Sequence, residues 1–136
     1  MMFIDTSVFI AVLTGESDAG TLAESLASAE LRQTSPLVRL ETSAVLATRL
    51  DISPTQADAL FDEMLDEADI TVVPITDAIG KIAVQCFETY GKGRHPARLN
   101  IVDCFSYACA KARGEALLFK GDDFTQTDIG NATRQE

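Results

Sequence analysis

The sequence predicts an α/β domain, a mainly parallel β-sheet with helices on both faces. Short apolar or β-branched runs at Met2–Ile4, Leu31–Thr34, Ile70–Val73 and Ala116–Phe119 alternate with segments of helical periodicity, the pattern of a parallel sheet closed by helical crossovers. A length of 136 residues, 46% of them hydrophobic, suffices for one core and is short for two ordinary domains. Acids that interrupt apolar segments fall beyond the carboxyl ends of the predicted strands, where such sheets bind ligands. One domain is expected over residues 1–130, with a polar, frayed tail over 131–136.

Each element has a local cause. Met2–Ile4 is a β-type run, and Asp5, Thr6 and Ser7 each offer a side chain to cap a helix over Val8–Leu13. Ala19, Leu22, Ala23 and Leu26 recur at helical spacing and predict a helix over Ala19–Ala29. After the strand Leu31–Thr34, Ser35 and Pro36 open a helix with a cap and a proline in its first turn. On that helix Leu37, Glu41, Ala44 and Val45 share a face, so an acid stands where leucine is expected. Ser53, Pro54, Thr55 and Gln56 form a capping box for a helix with Ala57, Leu60, Phe61, Met64 and Leu65 inward. The strand Ile70–Val73 is ended by Pro74, and a helix over Ile79–Tyr90 stops at Gly91. Asn100 caps a helix over Ile101–Ala112 that is apolar on almost every side and is therefore expected to be buried; Gly114 ends it. Ala116–Phe119 is the last strand, with Lys120, Gly121, Asp122 and Asp123 turning beyond it.

Composition narrows the function classes. The apolar opening is broken by Asp5, lacks a basic lead and a small-residue cleavage site, and so reads as neither signal peptide nor membrane span; a cytoplasmic protein is expected. Cys86, Cys104 and Cys109 lie in apolar helical contexts without the spacing of a zinc site, as buried residues of a reducing compartment do. A net charge of −10 argues against a broadly nucleic-acid-binding surface. The charge is unevenly spread, however. Eight acids and no Lys or Arg lie between Asp51 and Asp77, the signature of a solvated helix face, whereas Lys92, Arg94, His95 and Arg98 crowd one loop. His95 has no serine or cysteine partner in sight and reads as an exposed loop residue.

The chemistry lies in the acids. Asp5, Glu41, Asp103 and the pair Asp122, Asp123 sit where a carboxylate is a poor structural choice, because burying one without a partner costs several kcal/mol. Asp5 and the Asp122, Asp123 pair fall at strand ends, and Asp103 in the first turn of a helix, where free amides favour an anion. Carboxylates without Cys or His partners match a hard cation, Mg²⁺ or Mn²⁺, and hence phosphodiester substrates. A receiver-like phosphoacceptor domain is the competing reading, but it usually needs paired acids after the first strand, and a dehalogenase-type phosphatase needs an acid where Ser7 stands.

MFIDTSVFIAVL, SPLVRLETSAVL and YGKGRHPARLNIVDCFSYACAKARGEALLFKGDDFTQTDI together resemble the PIN-domain ribonucleases, in particular the VapC toxins of VapBC toxin–antitoxin pairs, over essentially the whole chain. The resemblance implies a PIN fold, Mg²⁺- or Mn²⁺-dependent RNA cleavage that stops translation and growth, a homodimer, and a VapB-type antitoxin whose tail occupies the acidic site. It matches Asp5, Glu41 and Asp103 to the family's first three acids, with Asp5 and Asp103 as metal ligands and Thr6 and Ser7 supporting Asp5. Either Asp122 or Asp123 is the fourth. Val102 stands where related chains often carry glycine. Lys92, Arg94 and Arg98 are expected to hold RNA phosphates. A non-catalytic PIN scaffold is the remaining alternative, although no ligand position is missing.

Overall fold

A computed structural model describes residues 1–132. In chain order the elements are β1 (Met2–Ile4), α1 (Thr6–Leu13), α2 (Ala19–Ala27), β2 (Arg32–Thr34), α3 (Pro36–Leu50), α4 (Pro54–Ala68), β3 (Ile70–Val72), α5 (Asp77–Tyr90), α6 (Ile101–Arg113) and β4 (Ala116–Leu118). The sheet is parallel throughout, in the order β3-β2-β1-β4. The chain steps from β1 to β2 to β3 in one direction, then returns through α5 and α6 to lay β4 on the other side of β1. Successive connections therefore diverge between β1 and β4, and a crevice opens outside the carboxyl ends of those strands. Pairing of Ile4 with Leu118 sets the two ends level, and the Asp5 amide closes the join by donating to the Leu118 carbonyl at 3.0 Å.

The central strand is the most deeply packed: Phe3 and Ile4 are fully covered, together with Val8, Phe9, Leu99, Leu117, Leu118 and Phe124. Cys86, Cys104 and Cys109 are free and buried, as expected. Of the acidic stretch, Asp62, Glu63, Asp66 and Glu67 form a solvated face of α4 beside the half-buried Asp58, while Asp51, Asp69 and Asp77 lie at helix ends; Arg39 of α3 reaches across to Asp58 and Asp62, each at 2.7 Å. Asn131 and Ala132, expected to begin a frayed tail, instead lie along β4: the Leu117 amide donates to Gly130 and the Ala132 amide to Leu117. The rest of the expected tail falls outside the described residues.

Several boundaries differ from expectation for local reasons. Helix α1 starts at Thr6, two residues early, because the Asp5 carboxylate itself caps it. Helix α5 starts at Asp77, where the Thr76 hydroxyl accepts from Ile79. Helix α6 is buried only along its middle, Cys104 and Ser106–Ala110, while Ile101 is 68% exposed and Lys111, Ala112 and Arg113 face solvent. On α3 the deep face is Val38, Thr42, Ser43 and Leu46; Leu37, Glu41 and Val45 form a half-buried strip beside it, and Ala44 is exposed. Glu41 thus lies at the margin of the core.

Candidate active site

Asp5 follows β1 directly and is only 4% exposed. One carboxylate oxygen, Oδ2, accepts from the Ser7 amide at 3.1 Å and the Ser7 hydroxyl at 2.7 Å, which fixes the rotamer. Ser7 Oγ in turn accepts from the Lys120 amide at 2.9 Å, tying the loop beyond β4 to the start of α1. The other oxygen, Oδ1, is buried without a hydrogen-bond partner among the described residues. Burial holds the Asp5 pKa above the usual carboxylate range despite the pull of Ser7, Ser106 and Thr6.

Asp103 is the third residue of α6, in reciprocal caps with Asn100: its amide donates to Asn100 Oδ1 at 2.8 Å, and its Oδ2 accepts from the Asn100 amide at 3.0 Å. Desolvation raises its pKa to about 7; the Asn100 amide opposes the shift, and the charges of Asp5, Asp123 and Glu41 add to it. Val102, half-buried, leaves this cap intact. Burial likewise raises the Glu41 pKa, against the Thr6 hydroxyl and with the charge of Asp5. Mutual repulsion thus places the four carboxylates in one electrostatic field.

They line one cavity of about 380 Å³ at the mouth of the crevice, with Asp5, Glu41, Asp103 and Asp123 on its walls together with Thr6, Ser7 and Asn100. Asp122 does not line it; its carbonyl accepts from Thr125 in the adjoining turn. The basic loop also falls elsewhere. Lys92, Arg94 and Arg98 are exposed around a separate cleft of about 470 Å³ that contains none of the acids. His95 is half-buried rather than exposed: its Nδ1 accepts from the Ala97 amide at 3.0 Å, and its ring meets Tyr90 edge-on at 5.1 Å. It shapes the loop.

Sequence reading missed three charged lining residues. Glu16, Arg49 and Lys120 share the cavity wall, with Arg49 Nη1 at 3.4 Å from Glu16 and Lys120 Nζ bonded to Glu16 and 3.3 Å from Asp18. Glu16 reaches the wall because the chain reverses after α1 at Gly15, at φ +66°, a tertiary consequence with no periodic signal. Burial of an acid alone does not mark this site, since Glu115 is buried at the far, amino end of β4 beside Arg113.

The donor set suits a hard divalent cation. It is all oxygen, it includes an unpartnered buried carboxylate oxygen, and none of the ion pairs described involves Asp5, Glu41, Asp103 or Asp123. Among the described residues no three His, Cys, Asp or Glu side chains gather into a ready cage. Mg²⁺ does not require one, as it commonly takes one or two carboxylates and keeps its waters.

The sequence matches the PIN domain family over residues 2–130. The chain belongs to the PIN domain family. Among curated relatives it is 42% identical over 132 residues to Ribonuclease VapC28 of Mycobacterium tuberculosis, an alignment covering 96% of this chain and 97% of that one. It is 41% identical over 128 residues to Ribonuclease VapC of Mycolicibacterium smegmatis, covering 94% and 97%. These relatives place it with the VapC ribonucleases, and the receiver-like alternative falls away. Among solved structures, VapC20 of Mycobacterium tuberculosis, a sarcin–ricin loop cleaving toxin, superposes with a TM-score of 0.74 at 23% identity, covering 95% of this chain and 96% of that one. At that identity the likeness speaks for the fold.

Proposed function

We propose that this PIN-domain protein is a Mg²⁺- or Mn²⁺-dependent endoribonuclease, the toxin of a toxin–antitoxin pair that acts on RNA in the cytoplasm and stops translation. The observation that carries the reading is the set of four acids, without cation partners among the described residues, on the wall of one crevice at the sheet's switch point. Asp5 and Asp103 are the ligands best placed for the cation: each has one oxygen engaged by its cap, Ser7 for Asp5 and Asn100 for Asp103. When bound, the cation stabilises charge on phosphoryl oxygens and makes water acidic enough to attack phosphorus.

The protein's own groups do the rest. Ser7 and the Asn100 amide hold the two carboxylates in fixed rotamers, so a divalent charge is met without reorganisation. Glu41, half-buried and with a raised pKa, is suited to take a proton beside the reacting atoms and release it again. Asp123 completes the wall from the β4 side. The ready set of acids speaks against a non-catalytic scaffold. A VapB-type antitoxin is proposed as partner, by kinship with the VapC ribonucleases, and a homodimer as the assembly.

The test is cleavage of a panel of transfer and ribosomal RNAs by purified protein with Mg²⁺ or Mn²⁺. Cleavage is expected to stop with EDTA and return on adding metal. Undiminished cleavage by rigorously metal-free protein, with contaminating ribonuclease excluded, refutes the metal dependence; no cleavage of any RNA refutes the activity.

A further inference from the structure

An acidic cavity that must admit a polyanion poses an electrostatic problem, and the cations nearest to it are not those of the basic loop. Asp5, Glu16, Glu41, Asp103 and Asp123 line the cavity, and among the described residues the only cationic side chains on the same wall are Arg49 and Lys120. Lys92, Arg94 and Arg98 line a different cleft. We infer that Arg49 and Lys120 bind the phosphates of the RNA strand at the acidic cavity, with Glu16 holding both side chains in place until a phosphate takes its position. This rests on the ribonuclease reading above.

Four features support it. Arg49, in the last turn of α3, and Lys120, just past β4, come from different elements and converge on one carboxylate, Glu16. The Lys120 backbone is fixed by its amide bond to Ser7 Oγ, the group that also holds Asp5, so its side chain starts from a set point beside the reacting centre. The pairs are partly solvated, with the Arg49 side chain 52% exposed and Glu16 28%, so exchanging Glu16 for a phosphate sacrifices little stability. Arg49 also offers the planar fork that matches phosphate oxygens.

The bland reading, that these pairs only stabilise the fold, makes a different prediction. Removing Lys120 then alters RNA binding only by freeing the charges of Glu16 and Asp18, and the effect vanishes once both are neutral. The experiment therefore compares, in the full chain and with Asp18→Asn throughout, Glu16→Gln, Glu16→Gln with Lys120→Ala, Glu16→Gln with Arg49→Ala, and Lys120→Arg. A fluorescein-labelled single-stranded RNA oligonucleotide of mixed sequence is titrated in EDTA over a range of salt, and thermal melts confirm folding. Glu16→Gln is expected to tighten binding several-fold. In that background each alanine is expected to weaken binding and to reduce the log–log salt slope by about 0.7, the value for one phosphate contact on a single strand. Lys120→Arg is expected to keep the slope. Unchanged affinity and slope for both alanines in the Glu16→Gln background overturn the inference, even if the wild-type protein cleaves RNA. Absence of cleavage by the wild type overturns the enzymatic reading instead, and the salt slope still decides whether these two cations hold the strand.

Discussion

At the scale of single residues, the site is a balance between burial and repulsion. Asp5→Asn and Asp103→Asn conserve volume and are expected to lower cleavage by orders of magnitude while leaving the fold intact, read from initial rates and circular dichroism. The same substitutions are expected to raise the melting temperature of metal-free protein, because each removes a carboxylate held against desolvation and like charge. The sign with pH follows from Asp103. Its pKa in the fold, about 7, lies above the ordinary 3.8, so the folded state binds the proton more tightly. Metal-free stability from this group is greatest in acid and falls as pH rises between those two values, levelling above about 7. Metal binding runs oppositely, since it needs the deprotonated form. Melting in EDTA across this range is expected to show a downward slope that flattens in Asp103→Asn; an equal slope in the variant rejects the assignment. Asp123→Asn is expected to cost more activity than Asp122→Asn, because Asp123 alone of the two lines the cavity.

At the scale of elements, the sequence was most legible where a cap or a period is local. The capping box at Ser53, the cap at Asn100, the prolines that open α3 and α4, and the four strands were all readable because each cause lies within a few residues of its effect. The half-buried strip carrying Glu41 was readable only as a face; its depth depends on what packs against α3. Illegible altogether was the wall formed by Glu16, Arg49 and Lys120, which are separated by more than thirty positions from one to the next and meet only through the tertiary fold. The basic loop was legible as charge but not as location. Its geometry depends on Gly91, where an added Cβ would fall 2.3 Å from the Phe87 carbonyl oxygen and 2.6 Å from the Phe87 ring. Gly91→Ala is expected to destabilise the protein by about 1–3 kcal/mol in urea denaturation, the usual range for overpacking. It also shifts Phe87, over which the Arg94 guanidinium sits at 6.0 Å. Replacing Lys92, Arg94 and Arg98 together by serine tests the loop's proposed RNA contacts: a shallower salt dependence of RNA binding is expected, and an unchanged slope leaves the loop a connector.

At the scale of the whole molecule, no helix among the described residues is long and apolar enough to cross a membrane, yet α5 and α6 leave apolar surface uncovered. Val84 is 70% exposed, and with Phe87 and Ile101 it borders a groove of about 220 Å³ floored by Gly80, Ala83, Cys104 and Phe105. An apolar strip of this kind beside the turn that carries Asp103 suits the proposed two-fold interface, and pairing there would also restrain the amino end of α6. Val84→Glu places a charge in the middle of that strip, on a side chain that makes little contact within the monomer. It is therefore expected to convert a dimer to a folded monomer in light scattering, with the melting temperature little changed at low concentration. The partner reading is tested separately. Expression of this chain alone is expected to arrest growth in an Asp5-dependent manner, and co-expression with the adjacent small open reading frame to restore it. An antitoxin that works by filling the acidic cavity should present a basic side chain to Asp5 or Asp103, so the Asp103→Asn protein is expected to bind it less tightly than the wild type. A chain that is harmless alone and indifferent to its neighbour removes the toxin reading while leaving any ribonuclease activity to stand by itself.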